Sequence, residues 1–271
     1  MDQYRVFGNP IAQSKSPFIH QQFAEQTKQA INYQSELVPV DQFESAVQTL
    51  IANQGKGANV TAPFKEQAFA LCDEVSERAQ LAGAVNTLIF AKGRIYGDTT
   101  DGLGLVHDLR RHKIKLPGSK ILLLGAGGAA KGVVQSLLAE APLSLTIANR
   151  TLSKAQMIVK QYPQANVNAV TFADTEHLAF DIIINATSAG LSGASLALSD
   201  QTIQSAQACY DMVYGKEHTA FLKQAKLLGV KYIVDGLGML VGQAAESFQL
   251  WRNIRPDVEP VLTALRAQLK Q

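Results

Sequence analysis

Short apolar runs alternate with amphipathic stretches up to about residue 100. "YRVFG" (4–8), "INYQSELVPV" (31–40) and "GANVT" (57–61) read as strands, with a helix expected from Pro17 and another near residues 41 to 53. That alternation predicts a parallel or mostly parallel α/β sheet. From Ser119 the pattern restarts as "SKILLLGAGGAAKGVVQSLLAEA", a buried strand, a glycine turn and a helix. Strands at "LSLTIANR", "FDIIINATS", "ACYDMVY" and "KYIVDG" follow, with the βαβ rhythm of a dinucleotide-binding sheet. "LVGQAAESFQLW" and "DVEPVLTALRAQL" read as two closing helices. There are no internal repeats, and hinges are expected near residues 101 and 236.

Composition narrows the class without changing this picture. A chain of 271 residues accommodates two ordinary domains, and 46% hydrophobic residues, 18% charged residues and a net charge of +2 describe a globular protein. No basic tract suggests nucleic acid. No stretch approaches the roughly 20 apolar residues of a membrane span, and the N-terminus lacks a leader pattern, so a cytoplasmic protein is expected. Cys72 and Cys209 stand far apart and read as reduced thiols. His20, His107, His112, His177 and His218 show no ligand spacing, so no metal is expected.

The glycine turn carries the first chemistry. In "GAGGAA" Gly125 and Gly127 allow a tight turn and the approach of a pyrophosphate, Ala130 fills the close-packing position, and the next helix aims free N–H groups at the phosphates. An NAD site usually places Asp or Glu about 20 residues further on, for the ribose 2′-OH. This chain has "ANRTLSK" instead: Arg150 can fork to a 2′-phosphate, beside Asn149, Thr151 and Lys154. NADP(H) is therefore the expected cofactor, against the plainer reading of a solvated basic loop.

A second group of polar residues lies outside that loop. "NVTAPFK" puts Lys65 in the first turn of a helix that Pro63 would open, capped by Thr61 or Ala62. A cation there is disfavoured by about 0.3–1 kcal/mol, which asks for a reason. Ser16 before Pro17 reads as an N-cap, and with Ser14 and the helix amides it could hold a carboxylate. Asn86 ends the strand-like "GAVNTL", Asp101 precedes an amphipathic helix in "GDTTDGLG", and Gln243 lies on a helix in "VGQAAESF". Taken singly, each has a bland explanation as turn former, cap or solvent-facing group.

Taken together, "SKSP", "NVTAPFK", "LAGAVNTL", "GDTTDGLG", "GAGGAAKG", "NRT", "NATSAG", "DMVY" and "GLGMLVGQAAESF" resemble, in order and over nearly the whole chain, the shikimate dehydrogenase family. The resemblance implies a substrate domain at 1–101, a Rossmann-like NADP domain at 102–236, and C-terminal helices at 237–271 that return to the substrate domain. It implies reversible NADPH-dependent reduction of 3-dehydroshikimate to shikimate, a step toward chorismate, with substrate and nicotinamide meeting in a cleft. By the same resemblance Lys65 and Asp101 are catalytic. Ser14, Ser16 and Tyr214 would hold the carboxylate, with Thr61, Lys65, Asn86, Asp101 and Gln243 on the rest of the substrate. Gly125, Ala126, Gly127, Gly128, Ala129, Asn149, Arg150, Thr151, Lys154, Thr187, Met212 and Gly236 would line the cofactor, together with Glu77. The partner implied is a small molecule, with no nucleic acid, membrane or obligate protein. Two departures, "VYGKEHTAFL" in place of the usual Asn-Pro after the tyrosine and "WRN" where a glycine often follows, fall at loop positions. The rival readings are a dual quinate/shikimate dehydrogenase and a non-catalytic NADP(H)-sensing module.

Overall fold

The computed structural model describes residues 1–187 and 196–270. Contacts divide the chain into two units: Met1–Gly104 with Leu240–Leu265, and Leu105–Met239 with the chain end from Arg266.

The first unit opens with β1 (Asp2–Gly8), α1 (Ser16–Thr27), β2 (Ile31–Leu37), α2 (Phe43–Ala52) and β3 (Gly57–Val60). It continues through α3 (Lys65–Leu71), β4 (Glu74–Val75), α4 (Glu77–Ala82), β5 (Thr87–Ala91), β6 (Arg94–Asp98) and the start of α5 (Asp101–Arg111). Its sheet runs β2-β1-β3-β5-β6-β4. β1 pairs in parallel with both β2 and β3, as the βα alternation predicts, whereas β3–β5 and β5–β6 are antiparallel. The reason lies in "AKGR": Lys92 and Gly93 both have positive φ (53° and 72°) between the paired Ala91 and Arg94. That is the two-residue turn whose twist matches a hairpin. Phe7, Phe43, Val47 and Phe64 form the core on one face of this sheet. Burying one such phenylalanine contributes about 1.5–3 kcal/mol.

The second unit is wholly parallel. Its sheet runs β12-β11-β10-β7-β8-β9, built from β7 (Lys120–Leu124), β8 (Ser144–Ala148), β9 (Val167–Val170), β10 (Ile182–Asn185), β11 (Ala208–Asp211) and β12 (Tyr232–Asp235). The helices are α6 (Gly128–Ala139), α7 (Leu152–Val159), α8 (Asp200–Ser205) and α9 (Ala220–Leu227). Ile121 to Leu124 are all fully buried, which is why "KILLL" reads as a continuous apolar run and not an alternating one. The strand order reverses between β7 and β10, and such a switch point is where open α/β sheets bind ligands. The chain ends in α10 (Leu237–Arg252) and α11 (Glu259–Lys270), the two helices expected from the sequence. Among the described residues no helix is long and apolar enough to cross a membrane.

Three local readings change. Pro63 does not open α3: it lies in a turn closed by Phe64 N–H to Thr61 O (3.0 Å), with a cis Ala62–Pro63 bond, and the helix begins at Lys65. Ser16 is the first helical residue and not the cap; Lys15 takes the cap position without a side-chain bond. Asn86 precedes β5 instead of ending a strand.

Candidate active site

In the first unit Lys65 Nζ donates to Asp101 Oδ2 at 2.6 Å, with the two side chains only 22% and 11% exposed. Lys65 holds the first position of a helix and Asp101 the first position of another, so backbone geometry fixes the roots of both. Asp101 Oδ1 accepts from Asn86 Nδ2 (2.9 Å). The same amide nitrogen reaches Thr100 Oγ1 (3.0 Å) and Gln243 Oε1 (3.3 Å). An amide has two hydrogens for these three acceptors, so the longest contact, to Gln243, is the one most easily given up to a ligand. Asn86 Oδ1 in turn accepts from Thr87 Oγ1 (2.7 Å) and from the Thr100 backbone N–H (2.9 Å).

Behind this first set lies a buried second set that the sequence reading missed. Asn59 Nδ2 donates to Ser247 Oγ (2.9 Å) and to the Asn86 carbonyl (3.1 Å), while Asn59 Oδ1 accepts from the Tyr33 hydroxyl (2.7 Å). Ser247 Oγ also meets Thr87 Oγ1 at 2.8 Å. A hydroxyl that is buried must find partners, and here each finds one in the next residue. The available signal was the spacing of Ser247 four residues after Gln243, which puts both on one face of α10. Tyr33, Asn59 and Thr87 come from strands far apart in sequence and carried no such signal.

Ser14, Ser16 and Thr61 follow the carboxyl ends of β1 and β3. Ser14 Oγ accepts weakly from Ser16 N–H (3.3 Å), and Ser16 is buried near Tyr33. Tyr33 and Asn59 belong to the set that holds Asn86. Thr61 packs so closely on Gly8 that a Cβ there would lie 2.5 Å from its methyl. Glu77 is exposed in the first turn of α4 and is not part of this hydrogen-bonded group.

The second unit presents a different kind of site. Gly125 has φ +105°, a conformation reserved for glycine, and an added Cβ would meet Thr187 Cγ2 at 3.1 Å. The turn thus sits against the end of β10, at the switch point. Gly127, Gly128 and Ala129 are exposed while Ala126 and Ala130 are buried, and a Cβ on either exposed glycine would meet nothing within 4 Å. α6 starts at Gly128, so its first N–H groups have no acceptor within the helix. At the end of β8, Asn149 Nδ2 donates to Thr151 O (2.8 Å), shaping the loop; Arg150, Thr151 and Lys154 are exposed, and Arg150 has no ion-pair partner among the described residues.

Thr187 is anchored through Asn185 Oδ1, which accepts from its N–H (3.0 Å) and hydroxyl (2.7 Å). The remainder of "NATSAG", Ser188 to Gly190, lies outside the described residues. Gly236 is obligatory for space: a Cβ would sit 2.0 Å from the Met212 carbonyl oxygen, so these two backbone segments pass each other directly. Tyr214 is half-buried, and burial pushes its hydroxyl pKa up, which keeps it a neutral donor.

Comparisons with known proteins cover both units. Residues 6–88 match the family model described as the shikimate dehydrogenase substrate binding domain, residues 108–208 that of shikimate / quinate 5-dehydrogenase, and residues 236–266 that of the shikimate 5'-dehydrogenase C-terminal domain. A relative from Colwellia psychrerythraea, named shikimate dehydrogenase (NADP(+)), is 56% identical over 99% of this chain and 98% of its own length. A crystal structure of a Pseudomonas putida enzyme aligns with TM-score 0.94 at 40% identity, covering 100% of this chain and 99% of that one. The Thermus thermophilus shikimate 5-dehydrogenase, solved in complex with NADP(H) and shikimate, aligns with TM-score 0.88 at 31% identity over 99% and 100% of the two chains.

Proposed function

The chain belongs to the shikimate dehydrogenase family, and from that premise we propose that it carries out the reversible, NADPH-dependent reduction of 3-dehydroshikimate to shikimate. The observation that carries the assignment of roles is the Lys65–Asp101 pair, 2.6 Å apart and held by Asn86 beside Gln243.

The residues present fit NADP(H). Open space beside Gly127 and Gly128 at a helix N-terminus suits a pyrophosphate, and the exposed Arg150, without an ion-pair partner among the described residues, suits a 2′-phosphate together with Thr151 and Lys154. Gly125, Ala126, Ala129 and Asn149 shape those two loops. Thr187, Met212 and Gly236 follow the carboxyl ends of β10, β11 and β12 in the same sheet, and Glu77 is assigned to the cofactor on the family resemblance alone. When bound, NADPH supplies the hydride.

The protein's own task is to bind the ring and move a proton. Lys65 Nζ gives a proton to the carbonyl oxygen as the carbonyl is reduced, and takes it back from the hydroxyl in the reverse direction. Asp101 fixes the ammonium and, with Asn86, Thr61 and Gln243, receives the ring hydroxyls. Ser14, Ser16 and Tyr214 hold the carboxylate through hydroxyl donors. The Asn86 amide is already satisfied on Asp101 and Thr100, so the pair is oriented before a substrate arrives. We further take the first unit as the substrate domain, the second as the NADP domain and the protein as cytoplasmic, acting on a small molecule without an obligate protein partner.

The test is absorbance at 340 nm with shikimate and quinate, each crossed with NADP⁺ and NAD⁺. Turnover confined to shikimate with NADP⁺ is expected. Comparable turnover of quinate would make the enzyme a dual quinate/shikimate dehydrogenase, and NADP⁺ binding without turnover would leave only a sensing module.

A further inference from the structure

The second unit also holds a cavity of about 530 Å³ that none of the assigned site residues lines. That volume is in the range of small-molecule pockets. Arg111, Lys216, Lys223, Lys226, Arg266 and Lys270 line it, against the two carboxylates Glu217 and Asp235. Six cations against two anions give a formal +4 at one cavity, where the entire chain carries only +2. His112 and His218 stand on the same wall. Asp108, buried beside Arg111 and His112, holds the His112 pKa above its ordinary value by a hydrogen bond and offsets part of this charge.

We propose that this cavity binds a small oligophosphate, at a second anion site separate from the glycine loop. The cations come from four different segments: the end of α5, the loop after β11, α9 and α11. Like charges converging from separate elements repel one another, and a concave wall of one sign focuses its field on the space it encloses. A ligand with several charges along its length meets them better than a single compact anion does.

The donors are available. Arg266 forks to Asp235 at 2.6 and 2.7 Å, which uses two of its five N–H groups and leaves three. Lys223 pairs with Glu217, but both side chains are more than half exposed, and such a pair is readily exchanged for a stronger partner. Lys216, Lys226 and Lys270 are exposed and form no salt bridge among the described residues. Guanidinium forks and ammonium point charges together are the donor set used for phosphates.

The experiment is calorimetric titration of the full chain with inorganic triphosphate at low ionic strength, in the presence of saturating NADP⁺, with ADP titrated in parallel. Saturable one-to-one binding is expected, weakening steeply with added salt. It should fall at least tenfold in Lys226→Glu/Lys270→Glu and stay unchanged in Arg150→Asp. Both lysines are exposed, and Lys226→Gln/Lys270→Gln repeats the test if charge reversal harms folding. Tighter binding of ADP than of triphosphate identifies a nucleoside phosphate as the ligand; the reverse order identifies free oligophosphate. Absence of saturable binding, binding that survives both lysine variants, or binding abolished by Arg150→Asp overturns the proposal.

Discussion

The polar cluster around Lys65 and Asp101 and the loops around Gly125 and Arg150 solve opposite problems. In the first, Lys65, Asp101, Asn86 and the buried residues behind them bond to one another, so the geometry exists without a ligand. In the second, space is open beside Gly127 and Gly128, and Arg150 is exposed with no ion-pair partner among the described residues, so donors stay available for a ligand. A site that must direct a proton gains from having its donor aimed in advance. A site that must hold phosphates gains from unpaid donors, because a donor already bonded has to give up a partner to bind.

The largest expected effect attacks the pre-formed cluster. Lys65→Ala should lower kcat by about 10²–10⁴-fold while equilibrium binding of shikimate and NADP⁺ changes far less. Lys65→Met keeps the methylene stem and should be as inactive, which separates loss of the ammonium from loss of packing. Steady-state kcat beside binding measurements decides the matter, and near-normal kcat in either folded variant would remove the proton carrier from the proposed mechanism.

A smaller effect is expected at the open site. Arg150→Asp replaces a forked cation by a carboxylate, so kcat/KM with NADP⁺ should fall by about 10- to 100-fold relative to that with NAD⁺. An unchanged ratio of the two cofactors would show that Arg150 does not read the 2′-phosphate. Thermal stability should hold, since the side chain is exposed and has no ion-pair partner among the described residues.

The same contrast explains what could be read from the sequence. The glycine turn, the basic loop after β8 and the helix that follows are each contiguous, and strand, turn and helix determine one another within about 30 residues. The cluster in the first unit draws Tyr33, Asn59, Asn86, Asp101 and Ser247 from distant segments, and their convergence depends on strand order. A β3–β5–β6 antiparallel arrangement brings Asn59 beside Thr87, and the alternation of strands and helices gave no hint of it. The "AKGR" turn was a legible hairpin signal that the βα rhythm hid. Ser16 looked like a cap because Ser-Pro usually is one; in the fold it is the first helical residue, and Lys15 takes the cap position.

That correction changes what Ser16→Ala should do. As a lost N-cap it would cost mainly stability, but no cap bond exists to lose. The expected result is a KM for shikimate raised about tenfold, unchanged NADP⁺ affinity, and only a small stability loss, since the side chain forms no cap bond. Ser14→Ala should cost less stability, because its contact with the Ser16 N–H is long at 3.3 Å. Stability loss in Ser16→Ala with normal KM would make this serine purely structural and detach it from the pre-formed cluster.

A last effect, read in stability and not in turnover, probes the wall of that cluster. His20 is fully buried and stacks on Tyr33 at 4.1 Å, with Phe23, Phe248 and Trp251 around it, and neither ring nitrogen has a hydrogen-bond partner among the described residues. Burial pushes its pKa down to about 3. Because the folded value lies below the unfolded one of about 6.5, the unfolded chain binds the extra proton first as pH falls. The penalty is therefore absent above about pH 6.5, grows through the window between the two values, and reaches about 2 kcal/mol at pH 5. His20→Phe should remove this part of the acid sensitivity while preserving the stacked ring. Overpacking by the larger ring could shift stability by about 1–3 kcal/mol, but by the same amount at every pH. The readout is thus the difference in unfolding free energy between parent and variant at pH 5 and pH 8. A difference that stays constant between those pH values would mean that His20 finds a partner for its proton in the folded protein, and that the wall behind Tyr33 is wetter than the structure shows.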